Sequence, residues 1–128
     1  MILTPEQAQL RDMVRAFVKR EIVPKAADWD REQTTPVEVL RRLGELGLMG
    51  TCISPEWGGS GADYVSYAVA TEEVAAGDCG LCNMMCVNNA PNCAALQDHG
   101  TAEMKERLQQ PLASGADHSA FLLTEAQA

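Results

Sequence analysis

The chain has 128 residues with a formal net charge of −8 and a sequence pI near 4.6, so it lacks the basic face that binds nucleic-acid phosphates or an anionic membrane surface. Hydrophobic residues make up 46% and charged residues 22%, values of a globular domain rather than a disordered chain. No apolar run approaches the roughly 20 residues of a spanning helix, and Met1-Ile2-Leu3-Thr4-Pro5-Glu6 lacks the flank and core of a signal peptide, so one soluble, cytoplasmic domain with no membrane insertion is expected.

Thr4-Pro5-Glu6-Gln7 reads as a helix start, with Thr4 as cap, Pro5 in the first turn and Gln7 closing a capping box. Leu10, Met13, Val14, Phe17 and Val18 follow at helical spacing and predict its buried face. Pro24 kinks or ends this helix, and Ala26 and Ala27 carry helix onward. Asp28-Trp29-Asp30-Arg31-Glu32 reads as a polar connection, and Thr35-Pro36 as a second cap-plus-Pro start. Val37, Leu40, Leu43 and Leu46 predict the next buried face, and Gly47 stops that helix as a left-handed glycine.

The stretch Ser54-Pro55-Glu56-Trp57-Gly58-Gly59-Ser60-Gly61 reads as a structured turn anchored by Trp57. It matches neither phosphate-binding glycine pattern, Gly-x-x-x-x-Gly-Lys-Ser/Thr or Gly-x-Gly-x-x-Gly. Asp63 caps a third helix, with Tyr64, Tyr67, Ala68, Thr71, Val74 and Ala75 as its expected inner face, and Gly77-Asp78 ends it. From Cys79 to Asp98 only Asp98 is charged, so a helix buried on most sides is expected there, one able to line a ligand cavity. Pro91 should kink it, and Asn88, Asn89 and Asn92 need polar partners inside it. Thr101 caps a fifth helix through Leu108, with Met104 and Leu108 inward, and Pro111-Leu112-Ala113-Ser114-Gly115 is a short connector. Ser119-Ala120-Phe121-Leu122-Leu123-Thr124-Glu125 is the best strand candidate; no other run is an evident partner, so it is expected to join a sheet lying beyond Ala128.

Cys79, Cys82, Cys86 and Cys93 have offsets of three, seven and fourteen, which fall on one helical stripe at about 100° per residue. Packed thiols are the simpler reading, because a tetrahedral metal site draws ligands from separate elements and no nearby His completes one. No metal site is assigned. His99 and His118 belong to no recognisable catalytic set, and the adjacent Glu72 and Glu73 point apart on a helix, as a solvated edge does. Composition and spacing thus lead to a mostly helical domain without a self-contained active site.

Several segments resemble the acyl-CoA dehydrogenase family in order and spacing, over essentially the whole chain. They are Leu43-Gly44-Glu45-Leu46-Gly47-Leu48-Met49-Gly50, the Ser54–Gly61 turn, Glu72-Glu73-Val74-Ala75, Gly100-Thr101-Ala102-Glu103-Met104-Lys105, Pro111–Gly115, and Phe121-Leu122-Leu123-Thr124-Glu125. The resemblance is to the N-terminal helical domain. It implies an all-α fold, an up-down to orthogonal bundle of five to six helices ending in a short extended segment, with residues 1–118 as that domain and 119–128 as the start of a truncated middle β-domain. It also implies FAD as cofactor, an acyl-CoA substrate oxidised at Cα–Cβ, an electron-transfer acceptor, and a homo-oligomer. Phe121, Leu123 and Thr124 match flavin-contacting positions, and Met84, Val87 and Asn88 match the region lining the acyl chain. The family's base, a Glu, lies in a C-terminal bundle, and none of Glu45, Glu72, Glu73 or Glu125 matches it; no catalytic residue is assigned. Ala126 stands where the family has Pro, and the chain ends before the Gly-Ser-Asp that follows. Inactivity of the chain alone is therefore expected. The alternatives are a non-catalytic helical interaction module covered by self-association and a Cys-based metal module.

Overall fold

The computed structural model describes residues 2–127. Eight α-helical segments form six rods. They are α1 (Pro5–Phe17), α2 (Ala26–Glu32), α3 (Val37–Glu45), α4 (Tyr64–Ala75), the bent pair α5 (Cys79–Val87) and α6 (Ala94–His99), and α7 (Ala102–Met104) joined to α8 (Gln110–Ala113) by a π-turn, Lys105–Gln109. No strand occurs among the described residues, so the all-α expectation holds. None of the described helices is long and apolar enough to cross a membrane.

The start of α1 forms as its sequence dictates: Thr4 Oγ1 accepts the Gln7 N–H at 3.2 Å and Gln7 Oε1 accepts the Thr4 N–H at 3.0 Å. Gln7 Nε2 then donates to Asp63 Oδ2 at 3.0 Å, while Asp63 Oδ1 caps α4 by accepting the Ser66 N–H at 2.6 Å. Farther along, Arg15 forks onto Glu73 at 2.9 and 2.6 Å. Both links advance together in sequence, so α1 and α4 lie side by side in the same direction.

The Ser66 hydrogen bonds hold the Asp63 carboxyl below its usual value. A lowered acid stabilises the fold above its unfolded pKa, and that stability is lost as pH falls through the folded value. Asp63→Asn keeps a capping side chain but removes the titration. Its urea midpoint should therefore fall less than the parent's between pH values of about 5 and 3; equal acid sensitivity would contradict this account.

The main core joins Val14, Phe17, Val18 and Ile22 with Val39, Leu40, Leu43, Leu48 and Met49, then Ala70, Val74, Leu81, Cys82 and Met85. A second cluster of Ile53, Cys93, Leu112 and Ala113, flanked by Trp57, Leu96 and Leu108, sits beneath the 48–62 loop. α3 ends as expected: Gly47 has φ +75°, the Leu48 N–H reaches Leu43 O at 2.9 Å and the Gly47 N–H reaches Gly44 O at 2.8 Å. The Trp57 turn also forms, as a 3₁₀ turn over Pro55–Trp57 with Gly58 at φ +82°.

Several elements differ from the sequence reading. Residues 28–32 are helix, not connection; α2 reads as polar because none of its residues is fully buried. Thr35 does not cap α3, whose N-cap is Pro36 without a side-chain bond. Val37 and Leu46 are exposed, and the buried face of α3 is Val39, Leu40, Leu43 and Gly44. On α4 the inward residues are Ser66, Val69, Ala70 and Val74, while Tyr64 is exposed. Met13 and Met104 are likewise exposed. Asp78, read as the end of α4, also caps α5 by accepting the Leu81 N–H at 2.7 Å. Pro111, read as connector, is helical: the π-turn before it shifts the register, so its missing N–H falls in the first turn of α8. Residues 119–125 are neither helix nor strand, and form no ladder among the described residues.

Candidate functional site: the α5 break and the segment after α8

The bend between α5 and α6 has the expected cause. Ala90 is extended, φ −143° and ψ 118°, as the residue before a proline prefers, and Pro91 cannot continue the helix. The break also takes Cys93 off the α5 stripe. The four-cysteine stripe therefore does not form: Cys93 packs in the second cluster beside Ile53 and Leu112.

Two consecutive amides at the break then face buried backbone. The Leu48–Ile53 stretch is a loop inside the protein, so its N–H and C=O groups need partners. Asn89 Nδ2 donates to Leu48 O at 2.7 Å and to Met85 O at 2.9 Å, and its Oδ1 accepts the Thr51 N–H at 2.6 Å. Asn88 Nδ2 donates to Met49 O at 2.9 Å and to Leu112 O at 2.8 Å. Gln97 on α6 accepts the Ser54 N–H at 2.8 Å. The need for polar partners at Asn88, Asn89 and Asn92 was legible; that the Met49 and Leu48 carbonyls, 39 and 41 residues away in the chain, are among them was not.

Ser119 is the part sequence reasoning missed. Its hydroxyl donates to Asn88 Oδ1 at 2.9 Å and accepts from Asn92 Nδ2 at 2.8 Å. This pins the root of the segment that carries Phe121, Leu123 and Thr124 to the α5 break. Phe121 is 51% and Leu123 72% exposed, and Thr124 is exposed as well. Met84 and Val87 are half-buried on α5, three residues apart and hence on one side of it. Met84 also lines a groove of about 460 Å³ with Trp29, Pro36 and Leu81. Asn88 is buried, and its amide is committed to the protein. The structure thus ties the root of the 121–124 run to the end of α5 through Ser119 and Asn88.

The ionisable groups nearby are not arranged for proton transfer near neutrality. The carboxyls with displaced pKa, Glu6, Glu21 and Asp63, are all lowered by hydrogen bonds at helix starts or by Arg20 and Arg42, opposite to what a general base near pH 7 needs. Glu72 is exposed, Glu73 is half-buried against Arg15, and both histidines are exposed. All five cysteines are free thiols. Burial, with Cys86 beside it, pushes Cys82 up to about 12 and raises Tyr67, and burial pushes Cys93 up to about 11. Among the described residues no three His, Cys, Asp or Glu side chains converge as a metal site would require.

Comparison with known proteins places this geometry. A model of the acyl-CoA dehydrogenase N-terminal domain matches residues 4–116. The short-chain-specific acyl-CoA dehydrogenase of Clostridium acetobutylicum is 39% identical over 127 residues, covering 98% of this chain and 33% of that protein. A glutaryl-coenzyme A dehydrogenase solved in complex with glutaryl-CoA superposes with TM-score 0.94 at 33% identity, covering 100% of this chain and 33% of the other. A glutaryl-CoA dehydrogenase of Mycobacterium smegmatis in complex with FADH2 superposes with TM-score 0.86 at 28% identity, covering 91% and 30% respectively. The chain thus spans about a third of the length of the relatives it matches. By sequence and by structure, it belongs to the acyl-CoA dehydrogenase N-terminal domain family.

Proposed function

We propose that this chain forms one wall of the flavin and acyl-chain sites of an FAD-dependent acyl-CoA dehydrogenase. In this reading residues 1–118 are the helical domain and the run from 119 is the start of a following β-domain. The observation that carries the reading is the anchored but uncovered 121–124 segment. Phe121 and Leu123 expose apolar surface, and Thr124 offers a hydroxyl, on a chain whose root is fixed by Ser119. A flat ring system needs such a partner, so these residues fit FAD: Phe121 and Leu123 would pack on it and Thr124 would hydrogen-bond it. When bound, the flavin supplies hydride acceptance from the β-carbon of the thioester.

The chain's own residues bind and position. Met84 and Val87 would line the acyl chain, apolar side chains on a helix with no charge between Cys79 and Val87. Asn88 would act there through its bonds to Met49 O and Leu112 O, which fix where the helix bends. The base and the remaining flavin contacts would come from the parts of the relatives that this chain does not span, so the chain alone is inactive. The substrate class is a short-chain acyl-CoA, after the Clostridium relative, with an electron-transfer acceptor as redox partner and a homo-oligomer as the working form in the cytoplasm.

The test joins the chain to the two-thirds of the Clostridium protein that it does not span. The folded chimera should retain flavin and oxidise a short-chain acyl-CoA, while the chain alone should do neither. Leu123→Asp in the chimera should weaken flavin retention by about tenfold or more, because a charge cannot be buried on the ring at low cost. Turnover by the chain alone, or a folded chimera without flavin, would overturn the proposal.

A further inference from the structure

α5 carries two thiols whose arrangement the acyl-CoA reading does not use. Cys82 Sγ and Cys86 Sγ lie 3.8 Å apart, four residues apart on one face. They are held toward each other from α4: Cys82 Sγ lies 3.6 Å from Thr71 O and Cys86 Sγ 3.9 Å from Thr71 Oγ1. We propose that Cys82 and Cys86 form a two-thiol chelating site for a trivalent arsenical, or a like soft electrophile that brings its own third substituent.

Two soft-atom–sulfur bonds of about 2.3 Å, meeting at a tetrahedral or slightly smaller angle, hold their sulfurs about 3.5–3.8 Å apart. The pair already has that span. A zinc or iron–sulfur site needs four protein ligands, and among the described residues no third His, Cys, Asp or Glu joins this pair. A ligand satisfied by two protein sulfurs is therefore favoured.

Protonation points the same way. Burial and the neighbouring Cys86 keep the Cys82 thiol protonated, up to about 12. Condensation with an organoarsenic oxide starts from two neutral thiols. Two As–S bonds form, the As–O linkage breaks, both protons leave with the oxygen as water, and no atom changes oxidation state. The product adds no charge to a half-buried site. Cys86, the more exposed thiol, is the point of entry.

The test uses phenylarsine oxide on the full chain, read by intact mass in excess monothiol. One arsenical per chain should persist in 2-mercaptoethanol and leave when 2,3-dimercaptopropanol is added. Cys82→Ser and Cys86→Ser should each lower retention by about 100-fold, since the second bond then loses its effective concentration, while Cys79→Ser and Cys52→Ser should leave it unchanged. Should either site variant fail to fold, iodoacetamide mapping of the parent decides: Cys82 and Cys86 should be protected together. Retention in a folded single-site variant, loss in Cys79→Ser, or protection of a different pair would overturn the proposal.

Discussion

Asn88→Leu is expected to destabilise the fold by about 2–5 kcal/mol, because it takes the donor from buried Met49 O, leaves Leu112 O with only its backbone donor, the Gly115 N–H at 3.1 Å, and crowds a filled site. Met49 O and Leu112 O each receive an Asn88 N–H, and the residue is 1% exposed, so water cannot replace it. Leucine keeps the branched outline but is larger, so the loss reports the missing hydrogen bonds together with crowding, and no cavity. Asn88→Asp should be comparably harmful at neutral pH, since it sets a carboxylate against two carbonyl oxygens. Denaturant titration of the three proteins measures this. A loss below about 1 kcal/mol for Asn88→Leu would show that those carbonyls find other partners.

The second large effect is expected at Gly44. Helix propensity alone says that alanine in a helix interior should stabilise by about 1 kcal/mol. The packing says the reverse. A Cβ built on Gly44 would meet Ser114 O at 2.0 Å, Ser114 C at 2.8 Å and Gly115 Cα at 2.9 Å, all backbone atoms that cannot rotate away. Gly115 is itself held at φ +74°, so the facing turn has little freedom to retreat. Gly44→Ala should therefore cost about 3 kcal/mol and lower Tm by roughly 10 °C. Because the competing effects have opposite signs, the direction of the Tm change alone settles which dominates.

How much of this was legible depended on how local each cause was. Thr4 with Gln7, Asp63 and Thr101 were read correctly because a cap is written in four consecutive residues. Gly47 was legible for the same reason, and Pro91 because its covalent ring forbids the helix whatever surrounds it. The faces of α3 and α4 were misjudged, since Val37, Leu46 and Tyr64 obey the helical period but point where no neighbour comes. The helix expected at Ala26 and Ala27 was not extended over residues 28–32, because so little of α2 is buried that no apolar stripe marks it. At the site, the lack of charge marked the Cys79–Asp98 segment and the family resemblance singled out Met84 and Val87 within it, whereas nothing in Ser119 distinguishes it from a surface serine. Its importance comes from Asn88 and Asn92, which reach it only once the chain has folded.

The amide of Asn88 has a consequence for how the chain assembles. Its three oxygen partners are 39, 24 and 31 residues away in sequence, on both sides of it. No short stretch can satisfy it, so the loop closures it depends on must all occur first, at an entropic cost that grows with separation. The capped helices can form early on local contacts; this junction closes last. During synthesis it stays open until Ser119 has left the ribosome, which makes the segment carrying Ser119 a checkpoint on closure of the helices before it.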